Sequence, residues 1–228
     1  MMLTRRSAPR FGVNHIHCLQ GKITMNYQQN FIVITGGPGG GKTTLVETLA
    51  ASGFLAVEEA GRRIIQEQRS CGGNATHDGD RIAFRRLMFE DALQTYQRMT
   101  DFTGPVFFDR GLPDLIGYSR LIGAPVPSWL QQAVENYRYN ETVFIAPAWQ
   151  EIFRQDDERQ QDFAEAAATC EAMRAAYEET RYRLAELPRS TIGERVAFML
   201  ERIQDAGGFT AQSGRTPNSI PKTSGPSA

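Results

Sequence analysis

Cysteine is scarce in this chain. Its 228 residues hold three, Cys18, Cys71 and Cys170, too few and too scattered for a disulfide framework. A reducing cytoplasm is the compartment such a chain fits. Long apolar runs are missing as well: none approaches the ~18 residues that a membrane-spanning helix needs. Charge of one sign is missing too. The net charge is -1 and the pI about 6.3, so no global basic field points to nucleic acid. Hydrophobic residues at 41% and charged residues at 22% exclude collagen, coiled-coil and wholly disordered readings. What remains is one soluble globular domain with ragged ends.

The ends differ from the middle. Residues 1–29 carry Arg5, Arg6, Arg10 and Lys22 and no acid. A basic, acid-free start can be a transit peptide, but this one lacks a clear amphipathic period and is poor in serine. It reads better as a disordered extension or one added by an early start codon, with Met25 marking where a compact domain would begin. His15, His17 and Cys18 have no second ligand pair at zinc-site spacing. From Gly207 the chain is rich in Gly, Ser, Thr and Pro and cannot bury enough apolar surface to offset its ordering, so 207–228 reads as a disordered tail. The folded unit is expected over residues 30–206.

The middle alternates strand and helix. Phe31 to Thr35 is a continuous β-branched and aromatic run, as expected of a strand covered on both faces. Further strands are expected at Phe54–Val57, Pro105–Phe108, Thr142–Ala146 and Tyr182–Leu187. Helices are expected over Lys42–Ala51, Glu59–Arg69, Asp80–Thr100, Pro113–Leu121, Pro127–Tyr137 and Phe163–Thr180. A last one is announced by a Thr191/Glu194 capping box. Phe84, Phe89, Tyr96, Phe153 and Tyr177 fall at helical spacing and read as core. Along the long helix, Ile82, Leu87 and Leu93 join them. Five strands separated by helices imply right-handed crossovers and a parallel sheet with helices on both faces, an α/β three-layer sandwich.

The strongest motif is Gly36-Gly37-Pro38-Gly39-Gly40-Gly41-Lys42-Thr43, followed by Thr44. It matches G-x-x-x-x-G-K-[ST] in full and sits between a strand and a helix, the context a P-loop requires. The glycines let the backbone curl so that its N–H groups face phosphate oxygens. The helix adds its positive N-terminal end. Lys42 supplies a compact cation for the β- and γ-phosphates, and Thr43 a hydroxyl for Mg²⁺. The use of lysine supports the assignment. It occurs only at 22, 42 and 222, so every basic residue of 30–206 except Lys42 is arginine. A planar guanidinium fork does not replace a compact ammonium at that position.

A second site is expected at Val106-Phe107-Phe108-Asp109-Arg110-Gly111. An apolar strand ending in Asp places the acid beside the P-loop, near Mg²⁺ or near an acceptor hydroxyl; the plainer reading is a strand-end Asp that caps the next turn. Many ATPases place Glu after this Asp to activate water. Arg110 stands here instead, which cannot act as a base but can hold an acceptor or a transition-state charge. Transfer to a bound acceptor is thereby favoured over hydrolysis. Glu59 and Arg62 lie three apart after the second strand, either as substrate-binding residues at the carboxyl edge of the sheet or as an exposed ion pair. Arg154 and Arg159 lie in a polar stretch that reads as a lid closing over the phosphates or as a solvated connector.

These segments together are similar to the P-loop AAA domain family of bacterial ATP-binding proteins related to ribosylnicotinamide kinase. The resemblance spans about residues 30–204. It rests on ITGGPGGGKTTL (34–45), EEAGR (58–62), FFDRGLPD (107–114), APAW (146–149), DDER (156–159) and YRLAELP (182–188). It implies a nucleoside- or nucleotide-kinase-like fold with strand order 2-3-1-4-5, and ATP or GTP with Mg²⁺. It also implies Asp109 and Arg110 near the acceptor, and Arg154 or Arg159 in the lid. No second arginine-finger motif of ring-forming motor ATPases is found. Thr180-Arg181 departs from the Leu-Gly of similar sequences, and a left-handed Arg181 would cost about 1 kcal/mol. The leading expectation is a Mg²⁺-dependent phosphotransferase for a small, nucleoside-like hydroxyl acceptor. The alternative is a slow NTPase or nucleotide-dependent switch that binds a protein or lipid partner. A nucleic-acid-binding module is disfavoured by the pI and the missing basic patch.

Overall fold

The computed structural model describes residues 26–153 and 162–205. Along the chain the elements are β1 (Asn26–Tyr27), β2 (Phe31–Gly36), α1 (Lys42–Ala51), β3 (Leu55–Val57), α2 (Gly61–Ser70), α3 (Arg81–Met99) and β4 (Val106–Asp109). They continue with α4 (Asp114–Leu121), α5 (Ser128–Asn136), β5 (Tyr137–Arg138), β6 (Thr142–Ala146), α6 (Phe163–Glu179), β7 (Arg183–Glu186) and α7 (Ile192–Asp205). The main sheet has five strands, all parallel, in the order β3-β4-β2-β6-β7. Counted within that sheet, this is the expected 2-3-1-4-5 arrangement.

The central strand β2 explains the layering. Successive side chains of a strand point to opposite faces, and Phe31 to Ile34 are all fully buried. Phe31 and Val33 join one core with Val106, Phe108, Val143 and Tyr177, covered by α3, α4, α5 and α6. Ile32 and Ile34 join the other with Phe107, Phe144, Leu45, Leu49 and Met199, covered by α1 and α7. Burying each such side chain contributes about 1.5–3 kcal/mol, so a run apolar at every position is what holds helices on both faces. The carboxyl ends of β2, β4 and β6 then open on one edge, where Gly36, Asp109 and Ala146 end their strands.

Four local expectations are corrected. Asn26–Tyr27 pairs in parallel with Tyr137–Arg138, so the fold starts ahead of residue 30 and α5 stops at Asn136. Two residues carry no readable period; what fixes them is the buried Tyr96, whose hydroxyl lies 2.8 Å from Arg138 O and 3.0 Å from Asn26 O. Ile82 is 57% exposed, because it sits in the first turn of α3 before that helix meets the sheet. Phe153 is only half-buried and stands against the P-loop at Gly39. Glu59 precedes α2 rather than starting it. The capping box is present: Thr191 N–H donates to Glu194 Oε2 at 2.9 Å, and Glu194 N–H to Thr191 Oγ1 at 3.4 Å. Arg181 has φ 65°, the left-handed turn that its position required. Residues 1–25 and 206–228 lie outside the described residues, as do Arg154 and Arg159.

Candidate nucleotide and acceptor site

The loop between β2 and α1 is built from close approaches. A Cβ on Gly37 would stand 2.2 Å from Ala166 O, so only glycine lets the loop pass over α6. Gly41 has φ 78° and is the N-terminal cap of α1, with no side chain capping the helix. Its left-handed turn leads directly into the first-turn N–H groups of α1, from Lys42 onward. Those groups have no helical partner and together with the helix dipole form an anion site. Lys42 is buried, and its Nζ donates to Gly37 O at 2.7 Å. The ammonium is therefore folded back under its own loop. Thr43 and Thr44 are exposed on the first turn of α1, and Pro38, Gly39 and Gly40 form the crest of the loop beneath Phe153 and Ala146.

Asp109 ends β4 beside β2, in register with Ile34. Its carboxyl is 7% exposed, and Oδ1 is buried with no hydrogen-bond partner among the described residues. Burial pushes its pKa up to about 6 and the Glu59 carboxylate adds to this, while the Lys42 ammonium and Arg110 pull against them. An unpartnered buried carboxylate oxygen next to the P-loop lysine is what a cation or a donor hydroxyl would complete. Among the described residues no group of three His, Cys, Asp or Glu side chains forms a metal cage. The residues nonetheless fit Mg²⁺, which is usually held by one or two protein oxygens plus substrate phosphates and water; the buried Asp109 Oδ1 and the Thr43 hydroxyl would be such oxygens here.

Arg110 is the second left-handed non-glycine residue, at φ 79°. The strained turn swings its guanidinium back over the sheet edge, where it meets two carboxylates. Its Nε lies 3.2 Å from Glu59 Oε2 and its Nη1 2.9 Å from Asp114 Oδ1, and it also donates to Gly36 O at 3.2 Å. Its pKa is raised: burial works against the charge, but Glu59, Asp114 and Asp109 outweigh it. Arg110 thus stays charged and is held between Glu59 and Asp114. Glu59 thus pairs with Arg110. Arg62 lies exposed on α2.

Asp114 was not singled out from the sequence. It is 3% exposed and accepts four hydrogen bonds. Thr35 Oγ1 and Arg110 Nη1 donate to Oδ1 at 2.6 and 2.9 Å, and Tyr177 OH and Gly111 N–H donate to Oδ2 at 2.6 and 2.9 Å. Burial, then the charge of Asp114, holds the Tyr177 hydroxyl well above the usual range, so it remains a donor. One carboxylate therefore ties β2, β4, α4 and α6 together. Its only sequence signal was the last letter of FFDRGLPD. Arg195, on α7, gave no signal at all. Fully buried, it donates through Nη1 to Gly40 O and through Nε to Pro188 O, both at 2.8 Å, with its guanidinium 5.1 Å from the Trp149 ring centre.

Beyond Asp109, on the side away from α1, lies a pocket of about 60 Å³ lined by Val57, Glu58, Glu59, Met88, Leu115 and Tyr139 among others. The edge of the sheet thus carries an anion-binding loop, a buried carboxylate and a small pocket, in that order.

Comparisons with known proteins agree with this layout. No curated protein matches the chain in sequence. Among solved structures, deoxyadenosine kinase from M. mycoides superposes with a TM-score of 0.58 at 11% identity, over 77% of this chain and 99% of that one. Thymidylate kinase from Ehrlichia chaffeensis gives 0.54 at 15% identity, over 78% and 100%. NadR protein in complex with NR gives 0.58 at 16% identity, over 81% of this chain and 52% of that one. These likenesses establish a kinase-like P-loop fold. Residues 31–195 match the AAA domain family model, running from the first residue of the central strand to the arginine beneath the P-loop, and the chain belongs to that family.

Proposed function

We propose that the protein is a Mg²⁺-dependent phosphotransferase that moves the γ-phosphoryl group of ATP or GTP to a hydroxyl on a small, nucleoside-like acceptor. The observation that carries this reading is the position of Asp109. Its free carboxylate oxygen stands between the P-loop lysine and a pocket of about 60 Å³, where a water-activating site would need no pocket. The kinase-like fold supports it, since deoxyadenosine kinase and thymidylate kinase are among the proteins that share it.

In this reading the triphosphate lies along the Gly36–Thr44 loop, and Lys42 exchanges Gly37 O for phosphate oxygens. Asp109 and Thr43 would hold Mg²⁺, which would offset phosphate charge. The acceptor hydroxyl enters from the pocket and hydrogen-bonds the Asp109 carboxylate. As the acceptor oxygen bonds to the γ-phosphorus, the bond to the β,γ-bridging oxygen breaks and the hydroxyl proton passes to Asp109. Arg110, fixed by Glu59 and Asp114, acts as a stationary positive wall of the pocket. Arg62, Arg154 and Arg159 are assigned to the rim and the lid.

The test is a γ-phosphate transfer screen over nucleosides and related metabolites, set beside turnover without acceptor, for wild type and Asp109→Asn. Acceptor-stimulated turnover that falls 10²–10⁴-fold in the mutant, with nucleotide affinity much less changed, is the expected result. A wild type with no acceptor-stimulated turnover would leave the nucleotide-dependent switch in its place.

A further inference from the structure

The pocket beside Asp109 is walled by α3 through Met88 and by α4 through Leu115. Asp114, the first residue of α4, marks the Asp109 end of that helix through its bond to Arg110. One turn further from Asp109 along both helices stand Arg85 on α3 and Tyr118 and Ser119 on α4. They meet there. Arg85 Nη1 donates to Ser119 Oγ and to Pro125 O, both at 2.9 Å, and the Phe84 and Tyr118 rings pack edge to face at 6.0 Å.

This cluster is chemically incomplete. Arg85 is 4% exposed, and among the described residues no carboxylate pairs with it. Its Nε is buried without a hydrogen-bond partner, and so is the Tyr118 hydroxyl. Burial lowers the Arg85 pKa. Burial raises that of Tyr118 to about 12, against the pull of Arg81 and Arg85. A buried guanidinium without an acid and a buried hydroxyl without a partner both cost stability. Core packing alone would be served better by apolar side chains of similar volume. Ser119 does not complete the set, because its own proton goes to Leu115 O at 2.7 Å.

We infer that Arg85 and Tyr118 form the distal end of the acceptor pocket, and that the acceptor carries a carbonyl or carboxylate oxygen there, roughly 5–10 Å from its reacting hydroxyl, one to two helical turns away. The inference rests on the phosphotransferase reading and names the chemistry of its acceptor. The Arg85 Nε–H is only a donor, so an ammonium or amino group at that end is refused. Met88, a flexible thioether, separates the cluster from the pocket and is the side chain that moves to admit the group.

Matched probe pairs test this: inosine against purine riboside, which lacks the ring carbonyl, and 4-(hydroxymethyl)benzoate against benzyl alcohol. Binding is measured by calorimetry with Mg²⁺ and a non-hydrolysable ATP analogue, and transfer is measured from ATP, for wild type, Tyr118→Phe and Arg85→Lys. The expected result is that wild type binds the oxygen-bearing member of at least one pair on the order of 10-fold more tightly. Tyr118→Phe should remove most of that preference without lowering the melting temperature, because its hydroxyl has no partner to lose. Arg85→Lys should weaken the preference while KM for ATP stays unchanged. Equal binding within both pairs overturns the inference, as does a preference that survives both substitutions. A melting temperature that drops in Tyr118→Phe also overturns it, by showing a structural bond. Transfer without discrimination overturns this site and leaves the phosphotransferase standing; discrimination in binding without any transfer does the reverse.

Discussion

On the α1 side of the cleft, one stretch of nine residues supplies the phosphate site, and most of its groups are backbone. On the other side, Asp109, Arg110, Asp114, Glu59, Thr35 and Tyr177 come from five separate parts of the chain and act through side chains. The first region tolerates ligand-free existence because its N–H groups meet water at the helix end. The second cannot: Asp114 is buried and depends on four donors at once. In the proposed reading a local motif would therefore carry nucleotide binding. A non-local network would carry the shape of the acceptor side, and it contributes to the stability of the fold.

The sharpest way to break that comparison is Asp114→Ala. It takes one of the two carboxylates from Arg110 and leaves the Tyr177 hydroxyl, the Thr35 hydroxyl and the Gly111 N–H without their acceptor, and is expected to cost about 3–5 kcal/mol. At ~2–4 °C per kcal/mol for a domain of this size, thermal denaturation should shift by roughly 10 °C. A shift of one or two degrees would show that the network is not structural. Lys42→Ala is expected to do the opposite: a small change in melting temperature, but a loss of nucleotide affinity of about 100-fold or more, as for charge-assisted bonds to phosphate. Calorimetric titration with ATP and Mg²⁺ measures it, and near-unchanged binding would remove the phosphate site from the loop.

The pH dependence separates the two regions further. Asp109 has a folded pKa near 6 against 3.8 for the ordinary side chain, so the folded state binds more protons between those values. From this group alone, stability of the nucleotide-free protein falls as pH rises from about 4 to 6. Mg²⁺–nucleotide affinity moves the other way, rising through pH 6 as the carboxyl ionises. Asp109→Asn should flatten both profiles; an unchanged affinity profile in that variant would assign the titration elsewhere. The smallest effect expected is at Arg181. Its φ of 65° makes Arg181→Gly stabilising by up to about 1 kcal/mol, read as a rise of a few degrees. Arg110→Gly relieves the same backbone strain, yet should destabilise, because its side chain is the one that holds Glu59 and Asp114.

The sequence by itself determined the elements whose cause is local. Phe31–Ile34 reads as a doubly covered strand because every residue is apolar. The glycine loop reads as a phosphate site because its spacing dictates backbone curl. Thr191 and Glu194 read as a cap because they lie three apart. Tertiary structure alone decided the rest. The pairing of Asn26–Tyr27 with Tyr137–Arg138 depends on Tyr96 from α3. The burial of Lys42 depends on Gly37 O. The pairing of Arg110 depends on a left-handed turn that brings Glu59 and Asp114 to one guanidinium. Arg195 reaches Gly40 O from 155 residues away. A side chain whose partners lie that far off in sequence leaves no periodicity behind, because what selects it is the space and charge left between finished elements.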